Sequence, residues 1–247
     1  MKYYSLNEDF SSVERRLRGN QLAENYLIKA KRITTFISQF PYIRCVLISG
    51  SLSKNFMDKK SDIDYFIITA PNRLWIARLF FVLTQKFIFF NNTKYLCFNY
   101  MIDTEALELA DKSIFTATEI ATVIPTFGGE MYLKFLKKNQ WIRQNYPNYP
   151  VHDVTQIPQN NTWIKRFLEI CFNNCLGEWV DNFLMKTTER RWKKKHEATM
   201  FGNNGENLLI SRHIAKAHFS GNYEKISNQY KQKISDYERK SGIILND

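Results

Sequence analysis

The chain has 247 residues, 44% hydrophobic and 24% charged, with 35 Lys and Arg against 24 Asp and Glu for a formal net charge of +11. This balance excludes a disordered or collagen-like chain, and the length allows a substantial core without disulfide staples. The positive charge favours anionic partners: nucleotides, nucleic acid or acidic headgroups.

The N-terminus, Met1-Lys2-Tyr3-Tyr4-Ser5, lacks the apolar core and cleavage site of a signal peptide, so a cytoplasmic location is expected. From Val13 to Phe40, apolar residues including Leu22, Tyr26, Leu27, Ile33, Phe36 and Ile37 recur at helical spacing. They predict one or two amphipathic helices ending near Pro41. The β-branched run from Ile43 to Ser49 predicts a strand, closed by Gly50-Ser51. A polar loop from Ser53 to Ser61 leads into a second strand, Asp62 to Thr69, which ends before Pro71.

Leu74 to Phe90 is the most membrane-like stretch, but it contains Arg78, Gln85 and Lys86. A span needs roughly 20 mostly apolar residues, so a buried or half-buried helix is expected and no membrane span. Tyr95 to Ile102 reads as a third strand, and Thr104 as the N-cap of a helix with Glu105 in its first turn. Beyond it the pattern is helical, broken at Pro125, Gly128-Gly129, Pro147 to Pro150 and Pro158. The expected fold is α+β: a small mixed β-sheet packed with helices over 1–125, followed by a helical C-terminal region over 126–247. Cys45, Cys97, Cys171 and Cys175 have no Cys-x-x-Cys spacing. Cys171 and Cys175, four apart in an apolar helical pattern, are expected on one helix face as buried, reduced thiols.

The chemistry concentrates between Leu47 and Ile68. A strand delivers Gly50-Ser51, a polar loop follows, and the next strand opens with Asp62-Ile63-Asp64. Side chains two apart on a strand point the same way, so Asp62 and Asp64 present both carboxylates on one face. Hard oxygen ligands of this kind suit Mg²⁺, which retains waters and phosphate oxygens. Gly50 lets a phosphate approach its backbone, Ser51 adds a hydroxyl, and neighbouring amides can form an anion nest.

This segment resembles the nucleotidyltransferase superfamily typified by DNA polymerase β, kanamycin nucleotidyltransferase and the small bacterial nucleotidyltransferases. Their signature is an apolar strand, Gly-Ser or Gly-Gly, a loop of about ten residues, then Asp-x-Asp in a second strand. The matching residues are Gly50, Ser51, Asp62 and Asp64, flanked by apolar Leu47, Ile48, Ile63, Phe66 and Ile67, and the resemblance covers Cys45 to Thr69. It implies a Mg²⁺- or Mn²⁺-dependent transfer of a nucleoside monophosphate from an NTP such as ATP to a small-molecule, RNA or protein acceptor. Asp62 and Asp64 would be the catalytic metal ligands; Gly50, Ser51 and Lys54 would hold the nucleotide's phosphates.

The superfamily draws a third carboxylate from a later strand, but the matching strand here carries Asn99 at its centre. Asp103 shares the face of Asn99 but lies roughly 13 Å along the strand. Three readings stay open: Asn99 is a weak carbonyl ligand of the metal, another acid such as Asp103 or Glu119 enters from elsewhere, or the chain binds nucleotide or RNA without efficient transfer.

The basic run Glu189 to His196 with Trp192 is read either as a nucleic-acid contact or as a solvated helix face with a buried Trp. His213 and His218, five apart, lack the same-face spacing of a zinc helix. Trp141, Tyr146, Tyr149 and Trp163 are candidates for an acceptor pocket or for core.

Overall fold

The computed structural model describes residues 11–159, 162–199, 208–217 and 222–244, with backbone alone at 99, 195–199 and 222–227. Helix α1 (Ser11–Ile37) leads into β1 (Ile43–Ser49), the short turn α2 (Gly50–Ser53) and β2 (Asp64–Thr69). Helix α3 (Leu74–Phe87), β3 (Cys97–Asp103), α4 (Ile114–Thr122), β4 (Ile124–Phe127) and α5 (Gly129–Lys138) follow. The chain continues through α6 (Trp163–Phe172), α7 (Cys175–Thr199), β5 (Leu208–Ile210), β6 (Ile214–Ala217) and α8 (Asn222–Ser241). This is an α+β fold around a mixed sheet of order β4-β1-β2-β3-β6-β5.

Among the described residues only β2 and β3 pair in parallel, and α3 makes the crossover between them. β1 and β2 are the most hydrophobic strands because both of their faces are covered. Alternation along them divides the core. Val46, Ile48 and Ile67 face α1 and α3, through Ala30, Ile37, Trp75 and Phe81. Cys45, Leu47, Phe66 and Ile68 face α4 and α5, through Ile120, Phe135 and Leu136. The strand Asp64–Thr69 starts two residues later than the apolar run suggests, so Asp62 lies in the extended approach to it.

The region expected to be wholly helical contributes three strands among the described residues. Pro125 interrupts no helix; it sits in β4 at the sheet edge, where its missing N–H costs no ladder bond. β5 and β6 form a hairpin that pairs with β3 on the other side. They escape a pattern reading because they are three and four residues long, too short to establish a period. Cys171 ends up near the close of α6 and Cys175 at the start of α7, both exposed, because the helical run breaks between them. Cys45 and Cys97 are buried and form no disulfide. Among the described residues no helix is long and apolar enough to cross a membrane.

The C-terminal helices are fastened to the sheet by polar side chains rather than by apolar contact alone. Asp181 on α7 accepts from Ile76 N (2.9 Å), capping the first turn of α3. Buried Arg73 donates to Phe172 O (3.2 Å) between α6 and α7. Trp192 packs edge-on against Trp75 and lies 4.5 Å below Arg78, so the basic run turns its one aromatic inward. On α6, Glu169 pairs with Arg44 at 2.8 Å. Lys165 is fully buried and donates to Ile43 O (2.6 Å) and Ser38 O (3.1 Å), with the Phe127 ring 4.9 Å away.

Burial, with Arg44 nearby, lowers the Lys165 pKa from 10.5 to about 8. Between those values the unfolded chain holds a proton that the folded chain has released, so this group makes stability rise with pH across that window. Lys165→Met is expected to flatten that rise and to cost about 1–3 kcal/mol near neutral pH, because the Ser38 carbonyl loses its donor and Ile43 O keeps only Arg44 at 3.3 Å. Urea unfolding on either side of the window measures both effects; an unchanged pH slope would contradict the assignment.

Candidate functional site

The two halves of the Gly-Ser and Asp-x-Asp segment meet because β1 and β2 are antiparallel neighbours whose last and first residues, Ser49 and Asp64, are partners. Directly after β1 the backbone turns left-handed at Gly50 (φ +66°), a conformation that only glycine adopts without strain. A Cβ there would lie 2.2 Å from Asp64 Oδ2, so glycine is also required by the closeness of the carboxylate. The connecting loop is held by α1: Met57 N donates to Gly19 O (3.1 Å), and Arg16 donates to Lys54 O (2.7 Å). Phe56 packs against the bare backbone of Gly19.

Asp62 and Asp64 are half-buried and close enough to interact. Burial pushes the Asp64 carboxyl up to about 6, and the charges of Asp62 and Glu119 add to the rise. A hydrogen bond from the Cys97 thiol and the charge of Lys54 oppose it. Cys97 reaches Asp64 because the two are register partners across the parallel β2–β3 pair.

Glu119, carried by α4, occupies the mouth of the turn. Its Oε2 accepts from Gly50 N (3.2 Å) and its Oε1 pairs with Lys54 Nζ (2.8 Å). Lys54 Nζ also donates to Gly50 O at 2.9 Å. Ser53 donates to Gly50 O (2.9 Å), whereas Ser51 donates to Met57 Sδ (3.7 Å). The hydroxyl nearest the turn's carbonyl is therefore that of Ser53.

Of the residues expected from sequence, Gly50, Lys54, Asp62 and Asp64 come together. Asp103 does not join them. It pairs with Thr69 at the opposite end of β2, is fully buried, and accepts from Asn72 N (2.8 Å) and Glu105 N (2.9 Å) with His213 Nδ1 2.8 Å away. Asn99 lies in β3 at an irregularity in the register, and its side chain lies outside the described residues, as does His218. Trp141, Tyr146 and Tyr149 pack on the core beneath α4 and α5, and Trp163 is exposed at the start of α6. Sequence reasoning missed Cys97 and Ser53 and held Glu119 only as one alternative. No spacing rule links an acid on α4 to a turn about seventy residues earlier; only the packing of α4 over β1 does.

Among the described residues no three His, Cys, Asp or Glu side chains form a ready-made metal cage. Two adjacent carboxylates fit a cation that completes its shell with water and phosphate oxygens, as Mg²⁺ does. No family model, curated protein or solved structure matches the chain.

Two outcomes follow from this geometry. Gly50→Ala is expected to cost about 1–3 kcal/mol through backbone strain and to displace the Asp64 carboxylate, visible as a lowered Tm. A ¹³C NMR titration of metal-free protein should place the Asp64 carboxyl midpoint near 6. Asp62→Asn should bring that midpoint down; an unmoved midpoint would show that the two carboxylates do not interact.

Proposed function

We propose that the chain is a Mg²⁺-dependent nucleotidyltransferase, moving a nucleoside monophosphate from an NTP to an acceptor hydroxyl or phosphate. One observation carries the reading: the pairing of β1 with β2 seats the Gly50 turn against the Asp64 carboxylate. A metal-bound triphosphate needs hard oxygen ligands beside a backbone that phosphate can approach, and this register supplies both.

In this reading Asp62 and Asp64 hold Mg²⁺ or Mn²⁺, which when bound neutralises the phosphate oxygens. Lys54 and the Gly50 amide receive the β- and γ-phosphates. Both donors engage Glu119, so an incoming triphosphate takes over the place of that carboxylate. The acceptor oxygen attacks the α-phosphorus in line, the bond from the α-phosphorus to the bridging oxygen breaks, and pyrophosphate leaves. A proton released by an acceptor hydroxyl passes to the displaced Glu119 carboxylate.

The same Glu119 contacts favour a second reading, a nucleotide- or RNA-binding chain of weak or no activity whose cradle stays closed on its own carboxylate. Pyrophosphate release with Mg²⁺ or Mn²⁺, labelled NTPs and a panel of small-molecule, RNA and protein acceptors decides between them. Transfer predicts release that Asp62→Asn and Asp64→Asn each reduce by roughly 100-fold or more. Activity that survives both substitutions removes the site assignment. Glu119→Gln is expected to tighten Mg²⁺-pyrophosphate binding by up to about tenfold while slowing transfer, because one anion no longer competes for Lys54. Unchanged affinity in isothermal titration would rule out Glu119 as the internal occupant.

A further inference from the structure

On the α1 side of the sheet, a shallow, open groove of about 330 Å³ is lined by Lys29, Arg32, Ile33, Phe89 and Tyr95. It combines the two features that single-stranded nucleic acid requires, flat rings and cations beside them. Tyr26 and Tyr95 lie within 12° of parallel with centroids 6.4 Å apart, and Phe89 is tilted 6.4 Å from Tyr95. Lys29 Nζ stands 5.1 Å from the Tyr26 ring and 5.9 Å from Tyr95, and Lys94 Nζ stands 5.7 Å from Tyr26. Among the described residues none of Lys29, Arg32 and Lys94 has an acidic ion-pair partner within salt-bridge distance, unlike Arg44, Lys54, Lys112 and Arg212.

A second observation comes from the loop that closes α3. Phe90 takes a left-handed backbone (φ +49°) with its ring 84% exposed, and Asn91 (φ +62°) follows it. Asn91 N donates to Gln85 O (2.9 Å), ending the helix in a geometry for which glycine is the unstrained choice. A bulky side chain held there against both strain and water points to a ring kept for a partner.

The edge of the groove adjoins the approach to β2 that carries Asp62, at the end of the sheet from which Asp64 points to the α4 face. Lys94 O accepts from Ile63 N (2.8 Å) between Asp62 and Asp64, and Lys94 Nζ reaches Lys59 O (3.4 Å) on the loop. We propose that this surface binds a single-stranded polynucleotide, with bases stacked on Phe89 and Tyr95, a further base on exposed Phe90 in the adjoining loop and phosphates on Lys29, Arg32 and Lys94, and that the end of the strand is the acceptor. In naming the acceptor the proposal rests on the transferase reading; the binding surface does not.

The test is fluorescence anisotropy of the full chain with a labelled oligouridylate of about 12 nucleotides, within the length one such platform covers. Affinity should fall steeply with salt, and the double substitution Lys29→Glu, Arg32→Glu should weaken it and reduce the salt slope by roughly 1.4, two phosphates' worth. Phe90→Gly should weaken binding by about tenfold while leaving Tm unchanged or raised, since glycine relieves the left-handed strain. That pairing separates lost stacking from lost folding. Wild-type affinity in both variants, no binding at low salt, or capture of phosphatidylserine vesicles in place of the oligonucleotide would each overturn the proposal. Asp62→Asn, Asp64→Asn protein should still bind the oligonucleotide. If the strand binds but accepts no nucleotide, the acceptor assignment falls while the binding surface stands.

Discussion

The site depends on the antiparallel pairing of Ser49 with Asp64 at the shared end of β1 and β2. Pairing at this register puts the first residue after one strand beside the first residue of the other. The turn must then leave β1 without colliding with the carboxylate that opens β2. Glycine at position 50 meets both demands, a left-handed φ and no Cβ. A one-residue slip would turn Asp64 to the opposite face and bury it among apolar side chains. The alternation of Val46 and Ile48 against Cys45 and Leu47, covered by helices on both faces, makes such a slip expensive.

The register also concentrates negative charge. Burial raises the Asp64 pKa, and the nearby charges of Asp62 and Glu119 add to it, while Lys54, paired with Glu119, opposes it. Glu119 sits on a backbone amide and a lysine, those of Gly50 and Lys54. A carboxylate and a phosphate make the same demand on such donors, so one can hold the place of the other.

The C-terminal half braces this arrangement from outside. Asp181 caps α3, Arg73 ties the α6–α7 junction, and Lys165 clamps the entry to β1 at Ser38 and Ile43. Each is a buried polar group satisfied by backbone atoms far away in sequence, which gives α6 and α7 one seating on the core rather than a choice of several. The hairpin of β5 and β6 extends the sheet beyond β3, and His213 in its turn meets the buried Asp103. The acid expected as a possible metal ligand is thereby committed to structure.

Local physics was legible in the residues themselves. β-Branched runs marked β1 and β2, helical spacing marked α1 and α3, and the period-two relation of Asp62 and Asp64, with glycine twelve residues before Asp62, marked the candidate site. These features act over a turn of helix or a pair of strand residues, so one sequence is enough to read them. The short strands β4, β5 and β6 were not legible, because three or four residues carry no period and their pairing energy lies in distant partners. Nor were the roles of Glu119, Cys97 and Asp103. Which acid reaches Gly50 is decided by how α4 packs over β1, which thiol meets Asp64 by the parallel register of β3, and which carboxylate is buried by the arrival of the β5–β6 hairpin. Those are contacts across tens to more than a hundred residues of chain, and only tertiary packing selects among them.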